Sequence, residues 1–209
     1  ASTVIAVDEL RLIRAKVRTT QPVSARLVSS DTSNATIAGL LTVSENITVT
    51  SSEWTTSAEV HALASITSTA TTWNSSSLVM AQSISLRGAS NTWSMTVLNG
   101  TRTLEVASGS MIKQLDESET LTVYAGDAML AGRLELRKLA MRCTGDLSVL
   151  GSGATINATG QGYASHSGPG GGPTETNTAG GWGGSHGGDG GKGDQAQLAS
   201  AATAYGNYE

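Results

Sequence analysis

Apolar residues recur along this chain in short triplets, apolar–polar–apolar, with turn residues between them. Leu41-Thr-Val43, Ile47-Thr-Val49, Ile84-Ser-Leu86, Met95-Thr-Val97, Leu104-Glu-Val106, Leu121-Thr-Val123, Leu134-Glu-Leu136, Leu139-Ala-Met141 and Leu147-Ser-Val149 all follow this pattern. A period of two is the mark of a strand, because successive side chains leave opposite faces of the backbone. Asn99-Gly100, Ser108-Gly109, Gly126-Asp127, Gly145-Asp146 and Gly151-Ser-Gly153 punctuate the triplets as turns. Only residues 53–70 have a spacing that a helix could use, and their Ser and Thr content disfavours one.

Three zones follow. Residues 1–30 hold the run Leu10-Arg-Leu12 and Ile13-Arg-Ala15-Lys-Val17-Arg, which reads as one long strand with a charged and an apolar face, ended by Pro22. That strand is a candidate donor to a neighbour's open sheet edge. Residues 31–160 form the strand-rich body, and residues 161–209 form a glycine-rich segment. Short strands at regular spacing suit a sandwich or a solenoid. From Leu134 to Ile156 is 22 residues, about one coil of a parallel β-helix in which each coil stacks on the last. The expected fold is therefore all-β, a parallel β-helix (solenoid) with an ordered glycine-rich C-terminal segment. A β-sandwich in the less regular N-terminal half, followed by a β-helix, is the alternative.

Composition sharpens this. The chain has no Phe, 4% aromatic residues and only 14% charged residues. Small and β-branched side chains suit a narrow stacked core. The net charge of −4 gives no support for nucleic-acid binding, which needs a basic face. Two basic clusters, Arg11, Arg14, Lys16 and Arg18, and then Arg133, Arg137, Lys138 and Arg142, read as solvated strand faces. No stretch reaches the roughly 20 apolar residues of a membrane span. Cys143, the single cysteine, lies in the alternating row Leu139-x-Met141-x-Cys143 and reads as a small buried hydrophobe. The sequence opens without Met, as expected of a processed chain or of part of something longer. Its C-terminal stretch lacks a polar cap, so that end is expected to meet more protein.

Five of the eight asparagines sit in Asn-x-Ser/Thr: Asn34, Asn46, Asn74, Asn99 and Asn157. This favours a secreted, N-glycosylated chain. Residues 151–194 hold 17 of the 25 glycines, and they fail each test for a ligand loop. Gly193 follows Lys192 where a phosphate loop needs Ser or Thr. The G-x-G-x-x-G match at Gly188–Gly193 follows no strand and opens no helix. Asp189 and Asp194 lack calcium-repeat spacing, and Ser185, His186 and Asp189 are too close in sequence for a triad. His61, His166 and His186 lack metal-ligand spacing, and Asp116, Glu117 and Glu119 read as a solvated loop. The glycines are thus expected to be structural, with close backbone packing offsetting their entropy and Tyr163, His166, Trp182 and His186 stacked on them.

The run Leu147-Ser-Val-Leu-Gly-Ser-Gly-Ala-Thr-Ile-Asn-Ala-Thr-Gly-Gln-Gly-Tyr163, followed by Gly-Pro-Gly-Gly-Gly, Gly-Gly-Ser-His-Gly-Gly-Asp-Gly-Gly and Tyr-Gly-Asn-Tyr, resembles the glycine-rich β-helical segments of very large secreted surface proteins of algae, protists and some bacteria. The resemblance covers roughly residues 134–209. It implies an extracellular structural role and carries over no catalytic residue, cofactor or metal. The expected function is a glycosylated extracellular structural subunit of a filament or surface appendage. Its partners would be copies of itself or further segments of a longer chain, together with covalent glycans. An adhesin or carbohydrate-binding module with Trp54, Trp73, Trp93 and Trp182 as stacking platforms is the alternative. A β-helix polysaccharide lyase or hydrolase using Arg133, Glu135, Arg137 and Lys138 is the third reading, weakened where the alternation breaks at Arg137-Lys138.

Overall fold

A computed structural model describes residues 3–116 and 118–157. The glycine-rich segment 161–209, with Trp182 and the order expected of its glycines, lies outside the described residues, as does Glu117. Among the described residues there are seventeen strands and no helix. In chain order they are β1 (Ile5–Ile13), β2 (Lys16–Thr19), β3 (Val23–Asp31), β4 (Asn34–Ile37), β5 (Leu41–Val43), β6 (Asn46–Thr50), β7 (Glu53–Thr56), β8 (Val60–Ala62), β9 (Ser65–Thr69), β10 (Thr72–Arg87), β11 (Thr92–Val106), β12 (Met111–Gln114), β13 (Leu121–Leu130), β14 (Arg133–Glu135), β15 (Leu139–Cys143), β16 (Leu147–Val149) and β17 (Thr155–Asn157).

Every pairing is parallel, and each strand pairs with the strand one coil away. The body is a β-solenoid of about eight coils, as its triplets suggest. Each coil has three walls. The first wall contains the start of β1 and β3, then β5, β8, the middle of β10 and β11, the start of β13, and β15. The second contains the ends of β1 and β3, then β6, β9, the ends of β10, β11 and β13, and β16. The third contains β2, β4, β7, the starts of β10 and β11, then β12, β14 and β17. Through β9 the repeat is 18 to 19 residues, so the N-terminal half is solenoid and not sandwich. The C-terminal coil estimate holds too: Leu134 pairs with Ile156.

The run read as one long N-terminal strand is two. β1 ends at Ile13, Arg14 takes a left-handed backbone (φ 48°), and β2 starts on the next wall. The phase slip between Leu12 and Ala15 is that corner. Thr32, Ser51, Ala70 and Ser90 repeat the left-handed step at the same point of later coils, with φ from 47° to 71°, and Gly109 follows. The stretch 53–70, the one with helix-compatible spacing, forms β7, β8 and β9.

The residue after each left-handed step points inward. Ser33, Ser52, Thr71, Asn91 and Ser110 are all buried, and they form a polar ladder down one corner. Ser33 Oγ accepts from Ala15 N–H at 3.1 Å and donates to Asp31 O; Ser52 Oγ accepts from Ser33 N–H and donates to Thr50 O. Asn91 Oδ1 accepts from Thr71 N–H at 3.0 Å and from Ser68 Oγ at 2.8 Å. The left-handed residues keep backbone bonds to the next coil, such as Thr32 N–H to Thr50 O at 3.0 Å, while the ladder takes the N–H groups of Ala15, Ser33 and Thr71, which would otherwise lack a partner.

Apolar rows fill the remaining interior. Val17, Ala35, Trp54, Trp73, Trp93, Ile112, Leu134 and Ile156 form one row along the third wall. The three indoles are fully buried and tilted against each other, with ring centroids 5.1 and 4.8 Å apart. Each indole N–H finds a hydroxyl: Ser30 for Trp54, Thr56 for Trp73 and Ser68 for Trp93. Ala62 and Ala81, in the coils of Trp73 and Trp93, are buried in the same core.

Candidate functional site

The solenoid interior is occupied by side chains, so any function belongs to its outer walls and its ends. The five glycosylation candidates all fall on strands. Asn34 (β4) and Asn74 (start of β10) lie on the third wall, Asn46 (β6) on the second and Asn99 (β11) on the first, between Met80 and Tyr124 of adjacent coils. Asn157 ends β17, beside Glu135. Their middle residues, where described, point inward and are buried: Ala35, Ile47, Ser75 and Gly100. The motif is therefore an outward–inward–outward strand triplet, and Asn and Ser/Thr share the solvent face. Asn34 Nδ2 donates to Glu53 Oε2 at 2.9 Å, and Asn46 Oδ1 accepts from Ser65 Oγ at 2.7 Å. Asn34 and Asn157 are exposed, and the other three are half-buried.

Three of the four tryptophans offered as sugar platforms, Trp54, Trp73 and Trp93, are core residues with no solvent-facing ring. Trp182 lies outside the described residues. The basic residues of both clusters are exposed. Arg133 and Glu135 flank a shallow cleft of about 320 Å³ with Ser152, Gly153 and Thr155. The backbone N–H groups of Arg137 and Lys138 instead turn to Gln114 Oε1, and Lys138 Nζ donates to Ser118 O. The four residues of the polysaccharide-cleaving reading are thus divided between two structural settings.

Asp116 accepts from both the N–H and the hydroxyl of Ser118, each at 2.8 Å, which closes an Asx turn in the loop before β13. Those bonds, the backbone one first, hold its carboxyl below the usual aspartate range. Cys143 is half-buried against the core; burial and then the charge of Asp127 push its thiol up, away from the reactive thiolate. His61 lies 3.0 Å from Glu59 on the first wall, and His166 and His186 lie outside the described residues. Among the described residues, no group of three or more His, Cys, Asp or Glu is placed to hold a metal, and no helix is long and apolar enough to cross a membrane.

The opening coil is the second notable surface. Among the described residues, β1 pairs with β3 alone. Its inward-row residues Ile5 and Val7 are 42% and 38% exposed, whereas Val23, Leu41 and Val60, in the row of Ile5, are at most 4% exposed. Beside them Arg26 bridges Asp8 and Glu45 across three coils, at 2.8 and 3.2 Å. The hydrogen bond and charge of Arg26 hold Asp8 below the ordinary aspartate range. Sequence reading marked β1 as a possible strand donor but missed this ion-pair bridge, because residues 18 and 19 apart are neighbours only once the coil length is known. Comparison with protein-family models, with curated proteins and with solved structures finds no match.

Proposed function

We propose that this chain is a non-enzymatic structural glycoprotein of the cell exterior, a unit of a filament or surface appendage assembled head to tail. The observation that carries this reading is β1, an edge strand among the described residues. Among the described residues, the nine-residue strand Ile5–Ile13 pairs with β3 alone and can take a further strand on its other side. Such an edge is a template for another strand. Head-to-tail contacts between unlike ends give an open filament when the rotation from unit to unit does not close a ring. Sequon asparagines on all three walls suit a surface held in a carbohydrate-rich exterior.

Electron microscopy of natively isolated material, with intact mass before and after enzymatic removal of N-glycans, tests the proposal. Regular filaments and a mass loss matching one or more glycans are expected. Discrete, unglycosylated monomers at high concentration would sink it.

A further inference from the structure

Resting on the glycoprotein reading, we propose that Asn99 carries an N-glycan whose first sugar is bedded on the outer face of the first wall, against Tyr124 and Met80 of the two neighbouring coils. Between β10 and β13 this wall turns apolar side chains outward. Val97 stacks between Leu78 and Thr122, and Asn99 between Met80 and Tyr124. The alternate residues Val79, Leu98 and Val123 are fully buried, which places Leu78, Met80, Val97, Asn99 and Tyr124 on the outer rows. Tyr124 is 42% exposed, and the other four are half-buried. An apolar patch of this kind on an outer face marks a surface that something covers. The polar group within it is the asparagine of a sequon, so the cover is attached at the patch itself.

The other sequons sit differently. Asn34 engages its Nδ2, the atom a sugar takes, on Glu53, and Asn46 accepts from Ser65. Asn74 stands between Thr55 and Ser94, and Asn157 beside Glu135, all polar. Asn99 makes no side-chain hydrogen bond among the described residues, and its amide is open to solvent. The register with both neighbouring coils shifts just after Gly100, and Thr101, the hydroxyl residue of the sequon, is exposed there with Arg102.

The sugar donor is an oligosaccharide joined through diphosphate to a lipid. Asn99 Nδ2 bonds to the anomeric carbon of its first sugar as the bond from that carbon to the diphosphate oxygen breaks. Nδ2 gives up one proton, and the lipid diphosphate leaves. Transfer to the extended chain precedes closure of the coil, so the half-burial of Asn99 in the fold is no bar. A pyranose ring has a face of C–H groups, and an aromatic ring presents a flat apolar body to such a face. Neighbouring coils are about 4.8 Å apart, so the sugar nearest Asn99 is the one within reach of Tyr124.

Intact glycopeptide mass spectrometry of natively isolated protein, followed by melting of the full chain secreted from glycosylating cells, tests this. Glycan is expected on the peptide that holds Asn99. Tyr124→Ala should lower the melting temperature by about 2–4 °C more in the glycosylated chain than in the Asn99→Gln background. Tyr124→Phe, which keeps the ring, should show no such difference, and trimming each glycan to its first sugar should preserve the Tyr124→Ala effect. A bare Asn99 beside other occupied sequons would overturn the proposal and leave the glycoprotein reading standing. An occupied Asn99 with equal Tyr124→Ala losses in both backgrounds would overturn it too, since the sugar then does not cover the patch. Native protein without glycan at any sequon removes both.

Discussion

Ala70 occupies a left-handed backbone with φ 50°, where a Cβ meets the following carbonyl. It is exposed and makes its turn at the point where Gly109 makes the same turn two coils later. Ala70→Gly should therefore stabilise the protein by about 0.5–1 kcal/mol, net of the extra freedom glycine gives the unfolded chain, read as a higher urea midpoint. A lower midpoint would mean that the corner does not hold the strain. Asp8 predicts a pH effect of definite sign. Its folded pKa lies below that of the unfolded chain, about 3.9, because Arg26 stabilises the carboxylate. The contribution is present above that value and is lost as pH falls through the folded pKa. The melting temperature of the wild type should exceed that of Asp8→Asn by a small constant margin at neutral pH. The margin should shrink below about pH 4, and one that grows in acid would contradict the bridge.

At the scale of elements, stability resides in rows rather than in strands, since three- to five-residue strands hold little on their own. Trp73 is the middle indole of three and is fully buried. Trp73→Ala should cost about 3–5 kcal/mol, leaving a cavity and an unpaired Thr56 hydroxyl, and chemical denaturation will measure it. Asn91→Ala should cost about 1–3 kcal/mol by a different route, because Thr71 N–H and the Ser68 hydroxyl lose their buried acceptor. Asn91→Ser, which restores the residue type of the ladder, should recover part of that loss. The rows were only half visible beforehand. Triplets such as Ile47-Thr-Val49 announce an inward pair by alternation alone. The alignment of Trp54, Trp73 and Trp93 depends on coil lengths of 19 and 20 residues, which no single triplet reveals. For the same reason the tryptophans could be read from sequence as sugar platforms. A large aromatic in a polar, Ser/Thr-rich stretch gives no sign of which way it faces until its neighbour one coil away is known.

For the whole molecule, contacts run between adjacent coils, so stability should be greatest in the middle and fall toward both described ends. Hydrogen exchange should show the slowest amides in β7 to β11 and the fastest in β1, β2 and β15–β17. Assembly should slow exchange at β1 and β2 specifically, and uniform protection from end to end would argue against a nearest-neighbour solenoid. The alternation of apolar and polar positions determined by itself that the body is all-β and where most of its strands lie, whereas the outward placement of Asn34, Asn46, Asn74 and Asn99 came from the structure. The strand positions depend only on the two-residue period of an extended backbone. Tertiary structure alone decided the coil length, the left-handed corners that break the N-terminal run at Arg14, the burial of the tryptophans and the Asp8–Arg26–Glu45 bridge. All four depend on which residues 18 to 20 positions apart become neighbours, and that is set by the closing of each coil and not by any local pattern.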